Sequence, residues 1–345
     1  MAREIRIIGG GLAGLTLGIL LRRDGIPVQL HDAGTYPRHR VCGEFISGRG
    51  IEILRGLNLS NFPVRAAEAR TVRFFNVNSS SPVLDLPEPA VAVDRATLDE
   101  QLAREFERSG GQLLLNSRWT ESFTTPGLVR ATGRRLQRDA ANGLLGVKAH
   151  ARNVALTSDL ELHFSDAGYI GLSRQPNGAV NVCALFKNRD SLKPARESSA
   201  PNFSELFTRS MGEPIAERLR AAKFDPATFA AVAGISFRRE SAITDECRIG
   251  DSICMIPPMT GNGMSIALES AAIAAPFLRG YSFGHADWPE TGQRIARACD
   301  RAFARRLAAA GLLQQVCFRR AGRAFLLAAV RRVPGVLTCG FRITR

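Results

Sequence analysis

The chain has 345 residues, 45% of them hydrophobic and 23% charged, which is typical of a folded globular protein with one large or two ordinary domains. Seven scattered cysteines form no CxxC or CxxH pair, which argues against a structural zinc site and indicates a reducing compartment. No window reaches the roughly 20 apolar residues that span a bilayer, and the apolar stretch at residues 7–21 has no signal-peptide cleavage site. We therefore expect a cytoplasmic protein that holds no metal.

The formal net charge of +14 is concentrated at the carboxyl-terminal end, where residues 300–345 contain ten arginines and one acid. Apolar residues recur there at helical spacing, which predicts two amphipathic helices broken near Gly322 and Pro334. Such a region is either a solvated face or a contact for an acidic partner, an acyl-carrier protein or an anionic membrane surface that the protein would bind peripherally. Nucleic acid is not expected as a partner, because no aromatic interleaving or recognised binding module accompanies the arginines.

The first predicted elements are a strand at residues 4–8, a glycine-rich turn at residues 9–14 and an apolar helix. A second strand, at residues 27–31, leads into Asp32, which is placed to accept hydrogen bonds from a ribose. This order of strand, GxGxxG turn, helix, strand and acid is the context in which the glycine pattern predicts a dinucleotide site.

The residues of the glycine turn have separate physical roles. Gly9 permits the tight turn, Gly11 lets the backbone approach a pyrophosphate, and Gly14 lets the helix pack against the strand. The backbone N–H groups near Leu12 and Ala13, at the positive end of the helix, would face the phosphates.

Further along the chain, a strand before residue 94 precedes a capped amphipathic helix, and short strands follow near residues 112 and 128. Residues 143–186 are β-rich with two hairpin-type turns, Ser165–Gly168 and Gln175–Gly178, which predicts an inserted antiparallel sheet. Residues 190–228 have a helical pattern, and a strand at residues 230–238 follows it.

These elements predict an α/β fold, with a Rossmann-like dinucleotide-binding domain, an inserted antiparallel β-sheet substrate domain and C-terminal helices. We expect the first domain to be discontinuous, at residues 1–65, 93–142 and 240–290. The substrate-binding sheet would take residues 66–92 and 143–239, and the basic amphipathic helices residues 291–345.

Further motifs occur in the order found in one superfamily of flavoenzymes. They are YPRHRVCGE at residues 36–44, RATLD at residues 95–99, GD at residues 250–251, PP at residues 257–258 and GNGM at residues 261–264. With the glycine turn and Asp32, these motifs resemble the para-hydroxybenzoate hydroxylase-like flavin monooxygenase superfamily, and its geranylgeranyl reductase-like branch most of all. The resemblance runs from residue 4 to about residue 275 and implies that the dinucleotide is FAD and the first domain an FAD-binding domain.

The resemblance also implies which residues would hold FAD. Asp251 would bind the ribityl chain, and the turn Thr260–Gly263 would bring backbone N–H groups and a helix N-terminus to the pyrimidine edge of the flavin, where negative charge collects on reduction. Besides the glycine turn and Asp32, the cofactor-binding residues would be Arg38, Arg40, Cys42, Arg95, Thr132, Gly133, Asp251, Pro258, Gly261, Asn262, Gly263 and Met264.

The sequence departs from the family pattern in three places. Thr132 replaces the aspartate of a "DG" motif, and residues 134–138 lack its usual continuation. Since that motif is associated with both FAD and nicotinamide handling, the departure bears mainly on the nicotinamide step. The WxWxIP element of halogenases is absent, and of the YxWxFP segment of many geranylgeranyl reductases only Tyr169 remains.

Together, these motifs predict an FAD-dependent oxidoreductase acting on a hydrophobic small molecule, in which the flavin performs the difficult step and the protein positions it. The first expectation is a monooxygenase that uses oxygen and is driven by NADH or NADPH bound transiently. The alternatives are a geranylgeranyl reductase-like C=C reductase and an electron-transfer or nucleotide-binding flavoprotein without its own small substrate. The sequence singles out no catalytic acid or base. His150 and His163 are expected to be structural, and Tyr169 suits pocket lining and sheet packing equally.

Overall fold

The computed structural model describes residues 2–57, 59, 66–133, 143–187, 203–208, 211–237, 245–253, 255–333 and 335–344. Within these residues the chain forms two sheets with helices packed against both. Residues 134–138, where the family continuation is missing, lie outside the described residues. So do Arg238, at the end of a predicted strand, and all of residues 190–202.

The smaller sheet contains five parallel strands in the order β14, β8, β1, β2, β7. Their bounds are β1 Ile5–Ile8, β2 Val28–His31, β7 Gln112–Leu114, β8 Leu128–Arg130 and β14 Cys247–Arg248. Because the strands are parallel, their carboxyl ends lie along one edge, which is where open α/β sheets bind ligands. The glycine turn, Asp32 and the turns at residues 131–133 and 250–252 all follow strands at this edge, so the sheet brings four separate motifs together.

Four helices accompany this sheet, α1 (Leu12–Arg23), α2 (Arg49–Gly56), α3 (Arg95–Arg108) and α6 (Gly263–Ser282). Helix α1 packs against both α3 and α6, and most of its residues are buried because its sequence is apolar on every side. Gly18 of α1 faces Phe106 of α3 so closely that a Cβ atom at Gly18 would lie 2.7 Å from the ring. The predicted Rossmann-like part of the fold is confirmed.

The larger sheet runs in the order β13, β9, β12, β11, β10, β4, β6, β3, with β5 paired to β4. The bounds are β3 Phe45–Ser47, β4 Ala67–Asn76, β5 Ser79–Ser80, β6 Leu84–Ala92, β9 Leu144–Arg152, β10 Leu160–Phe164, β11 Gly168–Arg174, β12 Val180–Phe186 and β13 Lys223–Ile235. The two predicted hairpin turns join β10 to β11 and β11 to β12. The prediction of a purely antiparallel sheet needs one correction, because β10 pairs in parallel with β4, from which a long connection separates it.

The region predicted to be helical at residues 190–228 ends in a strand instead. Its described part contains two short helices, α4 (Phe203–Thr208) and α5 (Glu213–Leu219), and then β13, which begins at Lys223. Residues 223–225 pair with residues 150–152 of β9. Pairing with a neighbouring strand therefore overrides the local helical pattern.

The basic end of the chain forms three helices, α7 (Trp288–Cys317), α8 (Arg320–Arg332) and α9 (Gly335–Ile343), where two were predicted. The predicted break near Gly322 is wrong, because the chain turns at residues 318–319 and Gly322 lies inside α8. A Cβ atom at Gly322 would lie 2.2 Å from the carbonyl oxygen of Val316, so this glycine serves close packing against α7. Pro334, the other predicted break, lies outside the described residues, between α8 and α9.

Among the described residues, no single helix is long and apolar enough to cross a bilayer. Helices α8 and α9 reach that length and hydropathy only when taken together, and they are bent by 119°.

Candidate functional site

One cavity of about 540 Å³ begins at the carboxyl edge of the parallel sheet and extends under the C-terminal helices. All but three of the predicted cofactor-binding residues line it, and the exceptions are Gly14, Arg38 and Asn262. The lining residues are Gly9, Gly11, Leu12, Ala13, Asp32, Arg40, Cys42, Arg95, Thr132, Gly133, Asp251, Pro258, Gly261, Gly263 and Met264. We call the part of the cavity that they line the cofactor end.

The glycine turn after β1 combines two tight contacts with one open position. A Cβ atom at Gly9, where φ is +115°, would lie 2.3 Å from the carbonyl oxygen of Ala131, and one at Gly14 would lie 2.0 Å from that of Gly9. At Gly11 the nearest atom to a Cβ would be a guanidinium nitrogen of Arg95, 3.9 Å away. Gly9 and Gly14 are therefore required by packing, whereas Gly11 leaves space for an approaching ligand.

The N-termini of α1 and α6 both border the cavity. Gly11 and Asn262, the N-cap residues of these helices, make no side-chain capping hydrogen bond. Gly261 precedes α6 with a left-handed φ of +67°, and a Cβ atom there would lie 2.7 Å from the ring of Phe45. Uncapped N–H groups at the positive end of a helix attract anions. The two helix ends therefore fit the two anionic parts of FAD, with the pyrophosphate at α1 and the pyrimidine edge of the reduced flavin at α6.

The carboxylate of Asp32 is almost fully buried and is held by three donors. The backbone N–H groups of Gly10 and Gly34 lie 2.7 and 2.8 Å from its oxygens, and Nη2 of Arg38 lies 2.5 Å away. Burial alone would raise the pKa of Asp32, but the hydrogen bonds from Arg38 and the backbone outweigh burial and lower the pKa. Asp32 is thus ionised at the cavity wall, and Arg38 acts through it without lining the cavity.

Two more arginines surround Asp99 beside Asp32. Arg95 donates to both carboxylate oxygens of Asp99, at 2.8 and 3.1 Å. Burial would lower the pKa of Arg95, but the charge of Asp99 raises it. Nε of Arg40 lies 3.8 Å from Asp99, and Nη2 of Arg40 lies 3.9 Å from Asp32. With Arg38, three guanidinium groups face two carboxylates, and this excess of positive charge suits a pyrophosphate.

The turns after β8 and β14 meet at the same edge of the sheet. The N–H of Gly133 donates to Oγ of Ser252, and this hydroxyl donates to the carbonyl oxygen of Gly133, each at 3.1 Å. A Cβ atom at Gly250, where φ is +62°, would lie 2.8 Å from the Cβ of Ala13. These close contacts place Asp251 and Thr132 in the cavity wall beside the start of α1, even though Thr132 departs from the family pattern.

Asn262 is placed differently from the other predicted residues of its motif. Its side chain is fully buried, and its amide N–H donates to the carbonyl oxygen of Thr344, which follows α9. Asn262 therefore borders the cofactor end only as the N-cap of α6, and its side chain ties the carboxyl-terminal segment to that turn.

Glu44 anchors a buried polar cluster that the sequence did not predict. Its carboxylate lies 2.8 Å from Nζ of Lys148 and 2.7 Å from Nε2 of His150, and it accepts the backbone N–H of Arg95 at 3.2 Å. Glu44 has a left-handed φ of 54°, which is strained for a residue with a side chain. The cluster holds this strained residue, and with it the neighbouring Cys42, against β9 and the start of α3. The sequence signal was the spacing of Lys148 and His150, which places both on one face of an apolar strand.

The same cluster contains a group of potential metal ligands. Ligand atoms of His39, Glu44 and Asp94 all lie within 4.8 Å of one another. The ammonium group of Lys148 contacts Glu44 and lies 3.1 Å from Nδ1 of His39. A protein cation therefore already neutralises Glu44.

The far part of the cavity, which we call the aliphatic end, is built from β4, β6, β10 and the three C-terminal helices. Its lining includes Val72, Phe74, Leu86, Leu160, Leu162, Leu313, Leu326, Leu327, Val330, Val336, Leu337 and Phe341. Arg323 is the charged residue among the described lining residues of this end. Its guanidinium donates to the carbonyl oxygen of Cys317 at 3.2 Å and pairs with Asp166.

Tyr169 lies on the cavity wall and also packs within the sheet. Its ring centroid is 5.9 Å from that of Phe164 and 6.2 Å from that of Phe318. Burial raises the pKa of Tyr169 well above its usual value, so the hydroxyl keeps its proton. His163, by contrast, bonds Glu161 at 2.9 Å and stacks on the ring of Phe75. Phe75 lines the cavity, whereas His163 is not among its described lining residues.

Sequence comparison identifies distant relatives, although no protein-family model matches the chain. The menaquinone reductase of Mycobacterium tuberculosis is 26% identical over 319 residues, which cover 80% of this chain and 76% of that protein. The menaquinone reductase of Mycolicibacterium smegmatis is 24% identical over 317 residues, with the same coverage.

Solved structures share the fold across nearly the whole chain. The flavin-dependent brominase Bmp2 has a TM-score of 0.78 at 17% identity and covers 99% of this chain and 93% of its own. A geranylgeranyl bacteriochlorophyll reductase-like protein from Thermoplasma acidophilum has a TM-score of 0.75 at 15% identity, covering 97% and 94%. PqsL of Pseudomonas aeruginosa, a probable FAD-dependent monooxygenase, has a TM-score of 0.71 at 15% identity, covering 94% and 100%.

The chain therefore has the fold of the FAD-dependent oxidoreductases, and the predicted resemblance to that superfamily is confirmed. Its structural neighbours include a halogenase, a monooxygenase and a reductase-like protein, so the fold alone does not select a reaction.

Proposed function

We propose that this protein is an FAD-dependent reductase that saturates a C=C bond in a long-chain isoprenoid lipid, with NADH or NADPH as a transient electron donor. The observation that carries the proposal is the continuity of one cavity from the glycine-lined cofactor end into the aliphatic end. A double bond in an extended hydrocarbon chain lying in the aliphatic end would reach the flavin along a mainly apolar wall.

The cofactor end supplies binding and orientation. The N-terminus of α1 would bind the pyrophosphate, assisted by Arg40 and Arg95, and Asp32 would accept a ribose hydroxyl. The N-terminus of α6 would stabilise negative charge on the flavin through its uncapped N–H groups. When bound, reduced FAD supplies the hydride equivalent, and a proton completes saturation of the double bond.

The aliphatic end would favour substrates with a long hydrocarbon chain. Its valine, leucine and phenylalanine side chains would bind a hydrocarbon chain favourably, because apolar surface is removed from water on both sides. They would also exclude water from the bound chain. The single described cation of this end, Arg323, is already paired with Asp166, so an acidic aromatic substrate would find no counter-charge there.

The sequence relatives support reduction ahead of the monooxygenation that motif order alone favoured. They are menaquinone reductases by name, and menaquinone carries a long isoprenoid chain of the kind the aliphatic end would accommodate.

The test is anaerobic turnover with a defined substrate. FAD-loaded protein is reduced with NADPH, NADH or, to bypass the donor, dithionite, and is then mixed with menaquinone-4 or geranylgeraniol. We expect the flavin absorbance at ~450 nm to return without oxygen. After air has reoxidised any quinol to the quinone, the lipid should still carry two added hydrogen atoms by mass spectrometry. Absence of that gain with all three reductants would contradict the proposal.

Parallel reactions in air separate the alternatives. Incorporation of one oxygen atom into the lipid would establish a monooxygenase instead. Peroxide release at the same rate with and without every lipid would indicate a flavoprotein without its own small substrate.

A further inference from the structure

Helix α9 is a thin cover over the aliphatic end of the cavity. Val336, Leu337 and Phe341 line the cavity, yet no side chain of this nine-residue helix is fully buried. Isolated helices of this length are marginal in water. The helix is held by its contacts with β6, α7 and α8 and by the bond between Asn262 and Thr344 just beyond it. One side of α9 thus faces the cavity, while its other side has no protein layer among the described residues.

Large apolar side chains are exposed on the same helices. Phe325 of α8, Val333 between the helices and Ile343 of α9 are 71%, 56% and 52% exposed, and Leu312 near the end of α7 is 64% exposed. Half of the large exposed hydrophobic residues in the described part of the chain lie in this short stretch. Water-exposed apolar groups concentrated in one region mark a surface that binds something apolar.

The charge of this region has one sign. Residues 301–345 contain ten arginines and no acid. Arg319, Arg320, Arg332 and Arg342 are exposed beside the apolar residues, whereas Arg323 points inward to Asp166. Exposed apolar groups flanked by arginine on short amphipathic helices are the pattern of a segment that lies in the interface of an anionic bilayer.

We propose that the α8–α9 corner, residues 320–333 and 335–343, docks on an anionic phospholipid surface. Docking would place Phe325, Val333 and Ile343 at the level of the acyl chains and the exposed arginines among the headgroup phosphates. Other residues of the same two helices line the aliphatic end, so a lipid would pass between bilayer and cavity at α9. This delivery role rests on the proposed function, whereas docking itself does not.

A phospholipid surface accounts for more of these observations than an acidic carrier protein does. An acidic protein would satisfy the arginines, but three large apolar residues spread over two helices and their connection would remain partly in water. A bilayer satisfies both groups at once.

Vesicle sedimentation of the full-length, FAD-loaded protein tests docking without any turnover. We expect binding to phosphatidylcholine vesicles that contain phosphatidylglycerol and little binding to phosphatidylcholine alone, with the affinity falling as salt is added. The triple variant Arg320→Gln/Arg332→Gln/Arg342→Gln should lose roughly 100-fold in affinity. A second triple variant, Phe325→Ser/Val333→Ser/Ile343→Ser, should also bind more weakly. Because it loses apolar contacts and no charge, its loss of affinity should be the same at low and at high salt.

The matched control is Arg49→Gln/Arg55→Gln/Arg118→Gln, which removes the same charge from exposed positions elsewhere. Its binding should stay near that of the unaltered protein, and the flavin absorbance and thermal midpoint of every variant show whether it is folded. Equal losses in the control and the corner variant would overturn the proposal, because net charge alone would then explain binding. So would tight binding to an acidic acyl-carrier protein with none to vesicles. A protein that docks but saturates no isoprenoid would refute the proposed reaction and leave the docking surface standing.

Discussion

The two ends of the cavity are built in different ways. At the cofactor end, backbone groups at the ends of parallel strands and helices form the wall, and a Cβ atom at Gly9 or Gly14 would overlap a neighbouring carbonyl oxygen. At the aliphatic end, side chains from distant strands and helices form the wall, and α9 has no fully buried residue. The comparison indicates that the cofactor end tolerates little substitution at its tightly packed glycines, whereas the aliphatic end can change shape and so can set substrate length.

Substitution of two neighbouring glycines should separate folding from cofactor binding, and it has the largest expected effect. Gly14→Val should prevent stable folding, because its Cβ would lie 2.0 Å from the carbonyl oxygen of Gly9. Gly11→Ala should fold normally, since the nearest atom to its Cβ would be a nitrogen of Arg95 at 3.9 Å. It should bind FAD at least ~10-fold more weakly, because the methyl group would block the pyrophosphate. Circular dichroism and flavin titration measure the two effects. Equal FAD affinity in Gly11→Ala and the unaltered protein would contradict the assigned role of this turn.

Removal of Glu44 tests how far the rigidity of the cofactor end depends on the buried polar cluster. Glu44→Ala leaves the fully buried Lys148 without its carboxylate, so we expect the free energy of unfolding to fall by about 3–5 kcal/mol. Glu68→Ala, which removes an exposed partner of Arg70, should cost no more than about 1 kcal/mol. Urea denaturation measures both variants. Similar small losses in the two would show that the cluster does not hold the Cys42–Glu44 segment.

Glu161 lies on β10, a strand that forms part of the wall of the aliphatic end. Its carboxylate should make the stability of the protein depend on pH. Burial would raise the pKa of Glu161, but hydrogen bonds from His163 and Thr157 outweigh it and lower the pKa from 4.5 to about 2. A carboxyl whose pKa is lowered by folding stabilises the protein above its unfolded pKa and loses that contribution as pH falls through its folded pKa. The contribution, on the order of 3 kcal/mol, is therefore lost between pH 4.5 and about 2.

Glu161→Gln should accordingly lower stability at neutral pH and flatten its decline over this acidic range. Stability measured by urea denaturation as a function of pH gives the comparison, with the exposed Glu68→Gln as control. An unchanged acid decline in Glu161→Gln would show that Glu161 does not link folding to pH.

The smallest expected change in stability, and the most selective change in activity, lies at the aliphatic end. Val330→Phe adds volume where Val330 meets Val72 and Leu84. The overpacking should lower the free energy of unfolding by at most about 3 kcal/mol, because α9 can shift. Turnover of long isoprenoids should fall, whereas turnover of short isoprenoids and the affinity for FAD should not change. The ratio of kcat/KM for geranylgeraniol to that for geraniol measures the effect. An equal loss for both substrates would remove the distinction between the two ends.

Several features of the site were predictable because they depend on local backbone sterics. The glycine turn at residues 9–14, Asp32 after β2 and Gly261 before α6 each occur where a short stretch must bend sharply or pack closely. Their order along the chain was enough to predict a Rossmann-like fold and the resemblance to flavin-dependent oxidoreductases. Local sterics do not decide the role of every glycine. At Gly322 the residue type predicts a helix break, whereas in the structure this glycine allows close contact with Val316.

Features that join distant segments were not predictable from local patterns. Strand β13 forms because β9 is available to pair with it, and the parallel pair of β10 with β4 depends on the same arrangement of the sheet. The contact between Glu44 and His150 spans 106 residues, and that between Asn262 and Thr344 spans 82. No periodicity or propensity encodes such a pairing, because it depends on how whole elements pack.

By itself, the sequence determined the cofactor end of this protein, because the residues there act through their own backbone geometry and follow strands in a fixed order. Only the tertiary structure decided that the cavity continues into an aliphatic end, since its walls come from β4, β6, β10 and α7–α9, which lie in separate parts of the chain. The apolar residues of those elements would pack into any core. Their arrangement around open space is a property of the folded molecule alone.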